Sequence, residues 1–158
     1  MDATKYLIQI AQAMEAAKLE AILIGNAAAA LQGAPVHTLA FDFLYDDTAE
    51  NEEKLSIVAD HVGATLKQSS PLLDTLYSLD FRPADFYVNF VSVAHGITSI
   101  ASLRSRATTV AMEGSKLLVA SLADVIRSKR EAGRPKYKAV MNALEKTFRE
   151  IEAQAQQS

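Results

Sequence analysis

The segment from Ile22 to Asp47, ILIGNAAAALQGAPVHTLAFDFLYDD, limits the possible folds most tightly. Ala21-Ile22-Leu23-Ile24 is a short continuous apolar run, as a central strand needs when both of its faces are covered. Gly25-Asn26 breaks the run. Ala27 to Leu31 then favours helix, and Gly33 with Pro35 stops it soon after. Thr38 to Tyr45 reads as a second strand carrying Asp42. A glycine turn between strand and helix leaves backbone N–H groups free at the helix start, where a phosphate can sit. A carboxylate on the next strand could hold a metal beside that phosphate. The four alanines from Ala27 to Ala30 let a helix lie close to a sheet, which suits tight packing and a nucleotide-facing role alike.

The flanking sequence supplies further elements. Asp2 can cap a first helix to about Ala17, with Leu7, Ile10, Met14 and Ala17 on its apolar stripe. Asp47 with Glu50 forms a capping-box-like start for a helix to about Val62. The acidic cluster Asp46, Asp47, Glu50, Glu52 and Glu53 therefore reads as a solvated first turn before a metal site. His61, near that helix's end, reads as a packing or capping residue rather than a ligand. Gln68-Ser69-Ser70-Pro71 signals a loop. Leu76 to Phe81 and Phe86 to Val93 then form an antiparallel hairpin joined by Arg82-Pro83-Ala84-Asp85. Asn89 is the unexpected residue in the second of these strands. A buried amide without partners costs about 1–3 kcal/mol, so Asn89 has either a structural hydrogen bond or a pocket to face.

Toward the C-terminus, Ser99 to Arg106 suggests a short helix, and residues 110–112 and 117–119 a small hairpin about Glu113-Gly114. Ser121-Leu122-Ala123-Asp124 opens a helix ending near Gly133. Pro135 starts the last helix, whose stripe runs through Val140 or Met141, Leu144, Phe148 and Ile151 before a polar, fraying tail from Glu152 to Ser158. The expected class is α+β (α/β), a small mixed sheet flanked by helices. It forms a single domain over 1–158, with a core at 1–120 and C-terminal helices at 121–155.

Composition narrows function mainly by exclusion. With no cysteine, the chain has no disulfide, thiolate metal site or cysteine nucleophile. A net charge of −3 gives no global reason to propose nucleic acid or an anionic membrane as partner. No apolar run approaches a membrane span, and Met1 to Met14 lacks the pattern of a secretory signal, so a soluble cytoplasmic domain is expected.

The order of these motifs resembles the nucleotidyltransferase superfamily of the polymerase-beta type. The likeness is closest to its small bacterial members, which include toxins of abortive-infection systems. That family opens with a strand, a Gly-Ser or Gly-Gly turn, a helix, and a strand ending Thr-x-Asp-φ-Asp-φ, where φ is apolar. Here the run is Thr38-Leu39-Ala40-Phe41-Asp42-Phe43. The third family aspartate falls in Val-Asp-φ-φ, matched by Val88-Asn89-Phe90-Val91. Leu122-Ala123-Asp124-Val125-Ile126, Ser128-Lys129 and Gly133-Arg134-Pro135-Lys136 match the family's C-terminal motif, with Tyr137 where an aspartate normally closes it.

The resemblance implies that Gly25, Asn26 and Lys129 approach nucleotide phosphates and that Asp42 is the catalytic and metal-binding carboxylate. Ala40 and Asn89 stand at the other two carboxylate positions. It implies Mg²⁺ as cofactor if the protein is active, a nucleoside triphosphate or a protein as partner, and a toxin–antitoxin context. Two aspartates at i and i+2 of a strand share a face, which is why the family spacing suits a two-metal centre. Ala40, Asn89 and Tyr137 all depart from carboxylate, so the expected function is a nucleotide-binding or regulatory module with impaired catalysis. The alternative is an active Mg-dependent transferase acting on a small-molecule, RNA or protein hydroxyl. Arg127, Lys129, Arg130, Arg134, Lys136 and Lys138 cluster in an otherwise acidic chain, either as a solvated helix junction or as a phosphate or RNA contact.

Overall fold

The computed structural model of the chain describes residues 4–38, 40–69, 75–81 and 86–157, apart from the side chains at 75 and 76. The proposed cap Asp2 and the Arg82-Pro83-Ala84-Asp85 connection lie outside these residues. The chain runs α1 (Thr4–Ala17), β1 (Ala21–Ile24), α2 (Gly25–Leu31), β2 (Ala40–Tyr45), α3 (Ala49–Val62), β3 (Thr65–Gln68), β4 (Thr75–Asp80) and β5 (Tyr87–Val91). It continues through α4 (Ile100–Arg106), β6 (Thr108–Met112), β7 (Ser115–Val119), α5 (Leu122–Ala132), a 3-10 turn (Pro135–Tyr137) and α6 (Lys138–Gln157). The strands form one mixed sheet in the order β3-β4-β5-β2-β1-β7-β6. The β2–β5 and β1–β7 pairs are parallel and the others antiparallel. The expected α+β architecture is therefore present.

Alternation along β2 sorts its side chains between two chemistries. Phe41, Phe43 and Tyr45 point to one face, where Phe41 meets Phe86 edge-on at 4.5 Å and Phe43 stacks on Phe90 at 5.6 Å. Tyr6 of α1 stacks on Phe86 at 5.3 Å and closes that side, with α3 packed alongside α1. Burying an aromatic of this size contributes about 1.5–3 kcal/mol. Ala40, Asp42 and Leu44 point to the opposite face, where α2 lies over β1 and β2 and α5 lies over α2. Ala27, Ala28 and Ala29 are all buried there, and small side chains permit that close approach.

Several boundaries differ from expectation for local reasons. α3 is capped by Thr48, whose side chain accepts from the Asn51 amide at 3.1 Å, and not by Asp47. Asp46 contributes through its carbonyl, which accepts from the Asn51 side chain at 2.7 Å. His61 is exposed in the last turn of α3, so it does not pack. α2 starts at Gly25, not Ala27, while Pro135 opens a 3-10 turn and the last helix begins only at Lys138. That helix continues to Gln157, so the tail does not fray at Glu152 as expected. Gln68 lies in β3, an edge strand absent from the sequence reading. Among the described residues, no helix is long and apolar enough to cross a membrane.

Candidate functional site

A cleft of about 570 Å³ opens where β1, β2 and β5 end against α5 and the turn that follows it. Gly25, Asn26, Ala40, Asp42 and Lys129 all line it, so the candidates drawn from distant stretches of sequence meet in space. Gly25 has φ +70°, a left-handed conformation that favours glycine, and it turns the chain from β1 directly into α2. A Cβ built at Gly25 would stand 3.8 Å from Asp42 Oδ2, so the carboxylate lies just across the turn. No side chain caps the start of α2, which leaves its first N–H groups available to a ligand. Asn26 donates through Nδ2 to the His37 carbonyl at 3.3 Å, while its Oδ1 is buried without a donor.

Asn89 does not line the cleft surface. It sits beside Asp42 in the parallel β2–β5 register, and its Nδ2 donates to Asp42 Oδ1 at 2.9 Å. Its own Oδ1 accepts from Ser78 Oγ at 2.8 Å. The polar residue inside a hydrophobic strand is thus explained by a structural chain, Ser78 to Asn89 to Asp42, across β4, β5 and β2. Ser78 carried no signal in sequence because the link exists only through strand pairing.

A two-magnesium centre needs hard oxygen ligands gathered on one patch. Among the described residues that patch holds Asp42 alone, with the methyl group of Ala40 on the same face and an N–H donor already on Oδ1. Among the described residues, no group of three or more histidine, aspartate or glutamate side chains could hold a metal ion. The described residues do not fit a two-metal centre. Asp46, the other nearby carboxylate on this strand's course, is exposed and lines a separate cavity with Asp47 and Ser92.

The opposite wall is cationic. α5 ends at Gly133 in a left-handed cap, and the 3-10 turn folds Tyr137 back against its last turn. Lys129 is only 9% exposed, and its Nζ lies 4.1 Å from the centre of the Tyr137 ring. Burial pushes the Lys129 ammonium below the usual lysine range. Asp42 opposes that shift, and Lys136 and Arg134 add to it. Arg134 Nη1 donates to the Tyr137 hydroxyl at 3.4 Å. Two further members of the basic cluster are engaged elsewhere: Arg130 pairs with Glu145 at 3.0 Å and Arg127 lies 3.6 Å from Asp124.

The third wall is the segment after β5, carrying Val93, Ala94 and His95. Gly96 fixes it to α5: its φ is +72°, and an added Cβ would stand 2.9 Å from Glu131 Cγ and 3.3 Å from the Arg127 carbonyl. His37 and His95 line the cleft and had no sequence signal, because neither falls in a recognisable motif. Among the described residues lining the cleft, three cationic side chains, Lys129, Arg134 and Lys136, therefore face one carboxylate, Asp42. Such a balance attracts a polyanion.

No protein-family model matches the sequence, and neither does any curated protein. Solved structures do resemble its fold. The chain superposes on ANT(2'')-Ia, crystallised in complex with adenylyl-2''-tobramycin, with a TM-score of 0.65 at 13% identity. That match covers 96% of this chain and 91% of the other. A candidate nucleotidyltransferase from Thermotoga maritima matches with a TM-score of 0.61 at 17% identity, over 87% of this chain and 89% of the other. The architecture is the nucleotidyltransferase fold.

Proposed function

With the nucleotidyltransferase fold as premise, we propose that this protein is a nucleotide-binding module in which the fold's transfer chemistry is impaired. One observation carries the reading: among the described residues Asp42 is the only carboxylate lining the cleft, and Asn89 occupies one of its oxygens at 2.9 Å. In-line phosphoryl chemistry depends mainly on positioning and charge stabilisation, so losing anionic metal ligands removes most of the rate. Binding has a lower requirement. The Gly25-Asn26 turn offers backbone donors to phosphate, and Lys129 offers charge from the facing helix. Asp42 then acts as the fixed negative pole that orients Lys129 rather than as a metal ligand. A nucleotide held this way suits regulation of a protein partner, including a toxin–antitoxin partner in a bacterial cell.

The decisive experiment pairs calorimetry with ATP and GTP against a transfer assay using labelled triphosphates. Binding that weakens about tenfold or more in Lys129→Met, without label transfer or pyrophosphate release, is the expected result. The alternative reading is an active Mg-dependent transferase acting on a hydroxyl. It draws on the meeting of Asp42, Gly25, Asn26 and Lys129 in one cleft. Pyrophosphate release that needs Mg²⁺ and vanishes in Asp42→Ala would establish that alternative instead.

A further inference from the structure

Tyr137 changes the electrostatics of the cleft in a way that its neighbours make legible. Lys129 Nζ lies 4.1 Å from the ring centre, Lys136 Nζ 5.5 Å, and the Arg134 guanidinium carbon 5.9 Å. One neutral ring thus gathers three cations. A ring face attracts a cation without cancelling its charge. A carboxylate at the same place would pair with Lys129 and neutralise it. The shared ring keeps like charges together that would otherwise spread apart in solvent, and Lys129 is held there in a largely buried position.

The other side of the cleft is equally specific. Asp42 is pinned by the Asn89 amide, so one of its oxygens is directed at an N–H donor rather than left open to a cation. Among the described residues the cleft therefore has positive charge in excess and no cluster of carboxylate oxygens to receive a divalent ion.

We propose that the cleft binds a nucleoside polyphosphate as the free, metal-less anion, with Lys129, Arg134 and Lys136 supplying the counter-charge that a divalent cation supplies elsewhere. The proposal rests on the nucleotide-binding reading above and adds an ionic form to it. A free triphosphate carries about two more negative charges than its magnesium complex, so the cationic cleft discriminates between them by simple Coulomb attraction. Magnesium then acts as a competitor, drawing nucleotide into the form that the site binds less well.

Calorimetry of the full chain with ATP tests this in EDTA and again with Mg²⁺ in excess over nucleotide. The expected result is binding in EDTA that weakens about tenfold or more in magnesium at matched ionic strength. Binding that tightens in magnesium overturns the inference and leaves the nucleotide-binding reading standing. An absence of binding in both conditions overturns both. Three variants locate the effect, each checked for an unchanged thermal melting profile. Lys129→Met loses about tenfold to a hundredfold in affinity for free ATP, the range of one charge-assisted hydrogen bond. Tyr137→Asp loses a comparable factor, whereas Tyr137→Phe stays within about threefold because the ring face is retained. Should a Lys129 variant fail to fold, Lys136→Ala reports in its place, since Lys136 is exposed, and loses about threefold to tenfold. A Tyr137→Asp protein that binds free ATP as tightly as wild type would overturn the role given to the ring.

Discussion

Asn89 shows how much a single atom can decide. Its Nδ2 meets Asp42 Oδ1 at 2.9 Å, and an aspartate in its place would bring two carboxylate oxygens to that separation. Asn89→Asp alone should destabilise the fold by about 1–3 kcal/mol at neutral pH through like-charge crowding. Adding Ala40→Asp completes an oxygen-rich patch. We expect the double variant to gain a magnesium-dependent rise in melting temperature that the wild type lacks, measured by thermal shift with and without Mg²⁺. Lys129 makes a second prediction at this scale. Its ammonium is held below the usual lysine range by burial, so it deprotonates at a lower pH than an ordinary lysine. Between the folded value and the unfolded one the unfolded chain binds more protons, so this group's contribution to stability rises with pH across that window. Affinity for a phosphate anion moves the opposite way, falling as pH climbs through the folded value. Calorimetry across the alkaline range checks it, and Lys129→Met should abolish the dependence.

The elements are joined by a few polar fastenings whose loss would be felt at a distance. Asp124 at the start of α5 is 2% exposed and receives Arg106 twice, at 2.9 and 3.0 Å, so that α4 is tied to α5. Ser121 completes the arrangement by donating to Asp124 Oδ2 at 2.9 Å while accepting from the Asp124 amide at 3.2 Å. Burial alone would raise the Asp124 carboxyl. The Arg106 and Ser121 hydrogen bonds, with the Arg106 and Arg127 charges, outweigh it and hold the group below the usual aspartate range. The stabilisation is present above the unfolded value and is lost as pH falls through the folded one. Asp124→Ala should cost about 2–3 kcal/mol in urea unfolding, less than a fully buried pair because Arg106 is partly exposed. Gly96→Ala combines a left-handed backbone with a contact that does not fit, so it should cost about 1–3 kcal/mol and displace the segment bearing His95. Reduced nucleotide affinity alongside a lower unfolding midpoint would register that displacement. Elements with strong local patterns were legible: the apolar run of β1, the Ser121 cap and the β6–β7 hairpin. β3 was not, because Thr65-Leu66-Lys67-Gln68 lies on an edge with only Leu66 partly covered. Its strand character comes from pairing with β4, which no local window shows.

Across the whole molecule, the described residues lining the cleft come from the β1–α2 turn, β2 and the residues before it, the end of β5 and the segment after it, and α5 with its following turn, so no contiguous stretch contains it. The sequence motifs identified Asp42, Gly25, Asn26 and Lys129 one by one, and the sheet order explains why they converge. What the motifs left out was relational: the amide of Asn89 turned onto Asp42, and the Tyr137 ring set under Lys129. Both depend on which atoms face each other after packing, and pattern alone carries no such information.

The parallel pairing of β1 with β7 has a consequence for synthesis of the chain. Ile22 aligns with Leu118, and the Ala120 amide donates to the Leu23 carbonyl at 2.9 Å, so the most apolar strand waits for a partner that emerges late. Until then Ala21–Ile24 is an open, hydrophobic edge of the kind that recruits strands from other chains. A chain truncated before Ser115 should therefore aggregate where the full chain remains monodisperse, which light scattering on the two proteins would measure.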